Sequence, residues 1–190
     1  MSVPVLRLVK SLRYALNDMQ GVLISDFELL ETINQAAALL YGRLSERYVH
    51  AALKKQSITV TDGTDCAELP NDFVRVHQVG MDDNNEVAVP VSYAPSVDGT
   101  YRIIGQKLYA KPSSYDVEYY YIPTRVTQLS DEVDIPLSMC PYIEQISLAM
   151  FNKDIQGAET LAMACTQILS NSAVSHLEGN NPHRILGGSI

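Results

Sequence analysis

The chain has 190 residues, 46% of them hydrophobic and 19% charged, with 22 acidic against 14 basic side chains and a formal net charge of −8. A chain of this length buries roughly 70% of the surface its unfolded form exposes, so no disulfide or metal staple is required. No run approaches the ~18 consecutive apolar residues of a membrane span, and Arg7, Lys10 and Arg13 interrupt the N-terminal segment where a secretory signal would need an apolar core, so synthesis in the cytosol is expected.

The acid is concentrated in the middle. Residues 1–55 hold seven bases and five acids, residues 56–137 five bases and 13 acids, and the last 53 residues two bases and four acids. Binding a phosphate backbone requires cations that displace condensed counterions, so a general DNA-binding module is disfavoured, whereas an acidic surface can surround nucleic acid without adhering to it.

Residues 4–19 are expected to form a first helix, with Val5, Val9, Leu12, Leu16 and Met19 in one stripe and Pro4 in the first turn. Arg7, Lys10 and Arg13 form another face. It reads either as a solvated surface or, more sharply, as a contact with an acidic partner or a neighbouring subunit. Gly21 breaks the pattern. Ser25 and Glu28 make a capping box, and Leu30, Ile33, Ala37, Leu40 and Leu44 carry a second helix over 26–48.

The period then shortens to two. Residues 57–61 and 73–79 read as strands, separated by the turn cluster 62–65, with His77 on the outward parity. Residues 82–85 (DDNN) read as a hairpin turn. Strands at 101–104 and 107–111 flank Gly105-Gln106, which has glycine at the first turn position. The strand 115–121 alternates, with Tyr115, Val117, Tyr119 and Tyr121 on one face. Seven of the 11 tyrosines lie between Tyr93 and Tyr121. Tyrosine packs its ring while keeping its hydroxyl wet, so Tyr115, Tyr119 and Tyr121 suit either a subunit-facing surface or the core of a thin sheet.

After Ile135-Pro136, helices are expected over 139–154 and 158–176, punctuated by Gly157, with Ala158, Ala162 and Ala164 allowing close helix approach. The segment 178–190 has no helical stripe and reads as an extended or disordered tail. The expected class is α+β: residues 1–55 and 137–177 form one helical bundle, residues 56–136 an inserted small antiparallel β region, and residues 178–190 the extended C-terminal tail.

No phosphate-binding glycine loop, nucleophile elbow or zinc-binding helix motif is present. His50, His77, His176 and His183 fall in four separate elements, none with a second ligand at helical spacing. Cys66, Cys140 and Cys165 are odd in number and far apart, and Cys165 sits in an apolar helical pattern as a small buried thiol. No catalytic, metal or cofactor residue is therefore assigned.

Four segments follow one another in order: LPNDF at 69–73, YRIIGQKLYAK at 101–111, VEYYYIP at 117–123 and DEVDIP at 131–136, with two C-terminal helices behind them. This succession resembles the head-to-tail adaptor, or connector, proteins of tailed bacteriophages, over about residues 69–176. The resemblance implies a structural virion protein at the head–tail junction, assembled in the host cytoplasm, with no catalytic activity, cofactor or membrane association. It implies a ring, usually dodecameric, below the portal protein, which extends the channel for double-stranded DNA without binding it specifically and docks the next tail or nozzle component. It also implies that the tail around His183, Arg184, Ile185, Leu186 and Ile190 meets the portal. A ring closes through unlike surfaces on each subunit, and Arg7, Lys10 and Arg13 against the acidic β region could supply such a pair. Two other readings stay open: a tail-completion or gatekeeper ring protein of the same virion, and a small enzyme.

Overall fold

The computed structural model describes residues 2–81, 86–92, 95 and 99–179, the last eight as helical backbone. The turn expected at 82–85 and the tail positions His183, Arg184, Ile185, Leu186 and Ile190 lie outside the described residues.

The chain is mixed α+β, with four helices and three sheets among the described residues. A two-residue strand β1 (Val3–Pro4) leads into α1 (Val5–Ala15) and α2 (Asp26–Glu46). A short helical turn at His50–Ala52 leads into the strands β2 (Leu53–Val60), β3 (Cys66–Glu68), β4 (Phe73–Met81), β5 (Val89–Pro90), β6 (Thr100–Ile104), β7 (Lys107–Ala110) and β8 (Ser113–Tyr121). The two-residue β9 (Glu132–Val133) precedes α3 (Cys140–Phe151) and α4 (Ile155–Gly179). The helices from the two ends of the chain meet: α1 touches α2 and α3, and α2, α3 and α4 contact one another.

The stripe expected on α2 is buried at every position: Leu30, Ile33, Ala37, Leu40 and Leu44. Its capping box is complete, with the Glu28 N–H donating to Ser25 Oγ and Glu28 Oε2 accepting from the Ser25 N–H at 3.0 Å. On α1 the inward residues are Val5, Leu8, Val9 and Leu12, whereas Met19, expected in the stripe, is 68% exposed because the helix ends at Ala15.

Three helices end in the same way, without glycine. Asn17, Tyr48 and Lys153 stand just past α1, α2 and α3 with φ of +55°, +56° and +61°. In each case the N–H of that residue and the N–H after it turn back onto the final turn. Asn17 and Asp18 donate to Tyr14 and Arg13, Tyr48 and Val49 to Ser45 and Leu44, and Lys153 and Asp154 to Met150 and Ala149. These bonds satisfy carbonyls that a helix end otherwise leaves orphaned. The break between α3 and α4 therefore falls at Lys153 rather than at Gly157, which lies inside α4. There the Gly157 N–H donates to Asp154 Oδ1 at 2.8 Å, which makes Asp154 the cap. Helix α4 runs on to Gly179, beyond the expected end at 176 and across the expected start of the tail. Ala158 and Ala162 are buried as expected of close-packing positions, but Ala164 is exposed.

The main sheet has the order β2–β8–β4 and is antiparallel throughout. Strand β8 lies in the middle, so both of its edges are paired. Strand β4 carries register shifts between Phe73 and Arg75 and between Val76 and Gln78. Such bulges break the two-residue alternation; half-buried Phe73 and Val76 and buried Val79 face inward, while His77 stays exposed, as expected. A second sheet, β3–β7–β6–β5, is antiparallel except for the β5–β6 pair. Gly105 has φ +58° at the head of the β6–β7 hairpin, the positive value that its turn position requires. Strand β1 pairs with β9, Val3 opposite Val133, which ties the start of the chain to the entry of α3.

Candidate functional site

Residues from three of the four motif segments converge on one joint between the main sheet and the helices, while the fourth, 101–111, forms β6 and β7 of the second sheet. Lys54 of β2 reaches Asp72, in the LPNDF segment, at 2.6 Å and also pairs with Asp134, in DEVDIP. Its ammonium lies 4.1 Å from the centroid of the Tyr121 ring. Tyr119 Oη donates to Asp72 Oδ1 at 3.1 Å, and Tyr121 Oη donates to the Asp134 carbonyl at 3.0 Å. The Tyr121 ring also packs at 5.0 Å on Tyr41 of α2.

The electrostatics of the joint follow from this packing. Burial works against the Lys54 charge, but hydrogen bonds and charge from Asp134 and Asp72 outweigh it and hold its pKa above the ordinary lysine value. Burial, reinforced by the Asp72 charge, pushes the Tyr119 phenol up to about 12, and burial raises Tyr41 and Tyr121 as well. These groups hold fixed protonation states near neutrality. The arrangement is a clamp rather than a proton-transfer relay.

The tyrosines that suited either a subunit face or the core of a thin sheet lie inside the protomer. Tyr115, Tyr119 and Tyr121 are 1%, 2% and 4% exposed. The protomer encloses them itself, so they present no ring surface to a second subunit. Tyr120, on the opposite parity of β8, is buried too. It lies beneath the edge-on rings of Tyr48 and His77, at 6.0 and 5.7 Å, with the Arg75 guanidinium 5.0 Å from its centroid. The side chains of Tyr48, a helix-terminating residue, and Arg75, at a bulge, thus cover the second face of the sheet.

The basic face of α1 divides. Arg7 and Lys10 are exposed. The Arg13 side chain is only 11% exposed and pairs with Asp18 at 2.6 Å and with Asp26. Asp18 is itself buried and accepts N–H bonds from Val22, Leu23 and Ile24 at 2.9–3.0 Å. Those backbone bonds, led by Leu23, together with the Arg13 charge, lower its pKa below the ordinary carboxylate value. Arg13 therefore organises the α1–α2 loop and is not available to an acidic partner.

That loop is the feature the sequence reading missed. Tyr14, Met19, Val22, Leu23 and Phe27 are 68–80% exposed, all within fourteen consecutive residues. The signal available was the apolar run Val22-Leu23-Ile24 just after Gly21, outside any helical stripe.

No group of three or more His, Cys, Asp or Glu side chains among the described residues could hold a metal ion. His50 and His77 pack edge to face with ring centroids 5.5 Å apart. Burial raises the Cys140 thiol and pushes Cys165 up to about 11, away from nucleophile chemistry. Three concavities on the described surface are open grooves. One of about 650 Å³ lies between the end of α2 and α4, one of about 720 Å³ lies beside β6 and β7, and one of about 680 Å³ lies at the rim of the joint. No helix of the described residues is long and apolar enough to cross a membrane.

No curated protein matches the chain. The family model described as SU10 adaptor protein matches residues 4–178, which takes in the four helices, the three sheets and the clamp that joins them but for Val3 at one end and Gly179 at the other. The chain belongs to the SU10 adaptor protein family, a family of phage head–tail adaptors.

Proposed function

We propose that the chain is a structural adaptor that forms a ring below the portal of a filled capsid, extends the DNA channel and docks the next tail component. The observation that carries this reading is the family match over residues 4–178. The charge supports it: the acidic excess of residues 56–137 is unsuited to gripping a phosphate backbone and suits a passage through which DNA slides. In this reading the helices of the two ends form one bundle, with the β region 56–136 inserted between them. The tail residues His183, Arg184, Ile185, Leu186 and Ile190 meet the portal, and the exposed bases Arg7 and Lys10 remain available to an acidic neighbour.

Imaging of intact particles tests the proposal. The expected result is a ring of this chain at the neck, in contact with the portal. Its location elsewhere in the virion, or its absence from particles, would overturn the reading. Mixing the full chain separately with portal and with tail proteins distinguishes an adaptor from a tail-completion ring. An adaptor binds the portal, and removal of residues 180–190 weakens that binding.

A further inference from the structure

Arg75 is a half-buried cation without a counter-ion. Its Nε and Nη2 are closed off from solvent and meet no acceptor, and the hydroxyl of Tyr120, its cross-strand partner on β8, is buried and unpartnered as well. Arg13, Arg43 and Lys54 each meet two carboxylates. Arg75 meets none among the described residues. Glu118, the next side chain on that face of β8, stands opposite Gln78 and leaves the Arg75 donors unmet. Buried polar atoms without a partner are rare in folded proteins, and three on one cross-strand pair point to a missing ligand.

The chemistry of the site selects the ligand. Nε and Nη2 share one edge of the guanidinium, the edge that receives both oxygens of a carboxylate. The group is held ready for it, with the Tyr48 ring centroid 3.8 Å and the Tyr120 centroid 5.0 Å from Cζ. A guanidinium fixed in this way loses little freedom on docking. His50 and His77, in ring contact with each other, add N–H donors beside it. Tyr48 is 62% exposed and both histidines are exposed, so the rings around Arg75 lie at the surface and turn aside without moving backbone. None of the three grooves reaches Arg75. A small molecule needs a concave site that encloses it, whereas tyrosine and arginine at an open surface are what protein interfaces use as anchors. A nucleic-acid backbone would meet the acidic excess of residues 56–137 all around this one cation.

We infer that Arg75 is the receptor for a carboxylate side chain of a partner protein, an aspartate or glutamate that enters beside Tyr48 and takes the Nε–Nη2 edge, with Tyr120 beneath it and His50 and His77 at the rim. The inference goes beyond the ring-forming reading and does not depend on it. It gives the outer face of the main sheet a binding role, where the clamp on the other face has a structural one.

The test titrates the full, isotope-labelled chain with hexaglutamate at low salt and follows the Arg75 Nε–H signal by NMR. The signal is expected to move and saturate with hexaglutamate and to stay in place with hexaglutamine. Arg75→Gln is expected to weaken hexaglutamate binding about tenfold or more, and Arg75→Lys, which keeps the charge but lacks the two-donor edge, to weaken it too. Mapping on the unmodified chain needs neither variant to fold. The inference is overturned if the Arg75 signal ignores hexaglutamate, which would mean that an ordered water alone meets these donors, or if both variants bind as the unmodified chain does. Acetate binding as tightly as hexaglutamate would mean a small-carboxylate site, and duplex DNA binding more tightly would mean a phosphate site; either result refutes a protein partner. Neither the ring nor its place in the particle enters the measurement, so its failure leaves the proposed function standing.

Discussion

Replacing Asp72 tests whether the motif residues act as a clamp. The Asp72 side chain is 12% exposed and receives two bonds, from Lys54 Nζ at 2.6 Å and from Tyr119 Oη at 3.1 Å. Hydrogen bonds to a charged group contribute about 1.5–3 kcal/mol each when a buried partner is left unmet. Two features reduce the total in Asp72→Ala: Lys54 keeps Asp134, and its side chain is 27% exposed and partly solvated. The net cost is about 2 kcal/mol, which for a chain of this size lowers Tm by roughly 4–8 °C. Asp72→Asn, which can still accept from Tyr119, costs about half as much, near 1 kcal/mol. Denaturant unfolding of both variants, and of Lys54→Met alone and combined with Asp72→Ala, gives the coupling directly, with about 1 kcal/mol expected between the two positions. A loss under about 0.5 kcal/mol for Asp72→Ala, or additive single variants, would refute the clamp.

Gly157→Ala is expected to leave stability nearly unchanged, since an added Cβ collides with the Asp154 carboxylate and displaces a cap worth about 1 kcal/mol, while alanine returns a similar amount in helix propensity. In an Asp154→Ala background, where the cap is already lost, the same change stabilises by about 0.5–1 kcal/mol; thermal melts of the four proteins check this non-additivity. Lys153→Gly relieves a positive φ and is expected to add about 0.5 kcal/mol after the entropy cost of glycine, read from the denaturant midpoint. Asp18 is stabilised as the anion, so its contribution is fully present above its ordinary pKa of 3.8 and disappears as pH falls through its lower folded value. Amide exchange at Val22, Leu23 and Ile24, corrected for intrinsic rates, accelerates in Asp18→Asn at neutral pH and in the unmodified chain only in strong acid. A thiol reagent at mildly alkaline pH modifies the half-buried Cys66 in the native chain and reaches the buried Cys140 and Cys165 only on unfolding, as mass spectrometry reads.

Much of the fold was legible because it rests on local rules. The Ser25–Glu28 box and the five-residue stripe of α2 depend on neighbours three and four residues apart, and the β6–β7 hairpin depends on Gly105. The helix ends were read less well for a definite reason: Asn17 and Lys153 adopt a conformation that glycine usually fills, at a cost met by backbone bonds and packing that no local pattern announces. Gly157 misled in the opposite sense, since its small size makes room for the Asp154 cap. The tyrosines of β8 were legible as a strand but not as core or subunit face, because Tyr41 and Tyr48, far away in sequence, decide what covers them. The role of Arg13 depended likewise on Asp18, which carries no sign in the sequence that it folds inward.

The pairing of Val3 with Val133 has a consequence for the order in which the fold closes. Val3 waits for a partner 130 residues further along the chain, and α1 and α2 find part of their apolar cover on α3 and α4. Contacts of such long sequence separation form late and together. The helices of the N-terminal half therefore complete their apolar cover only once α3 and α4 are in place.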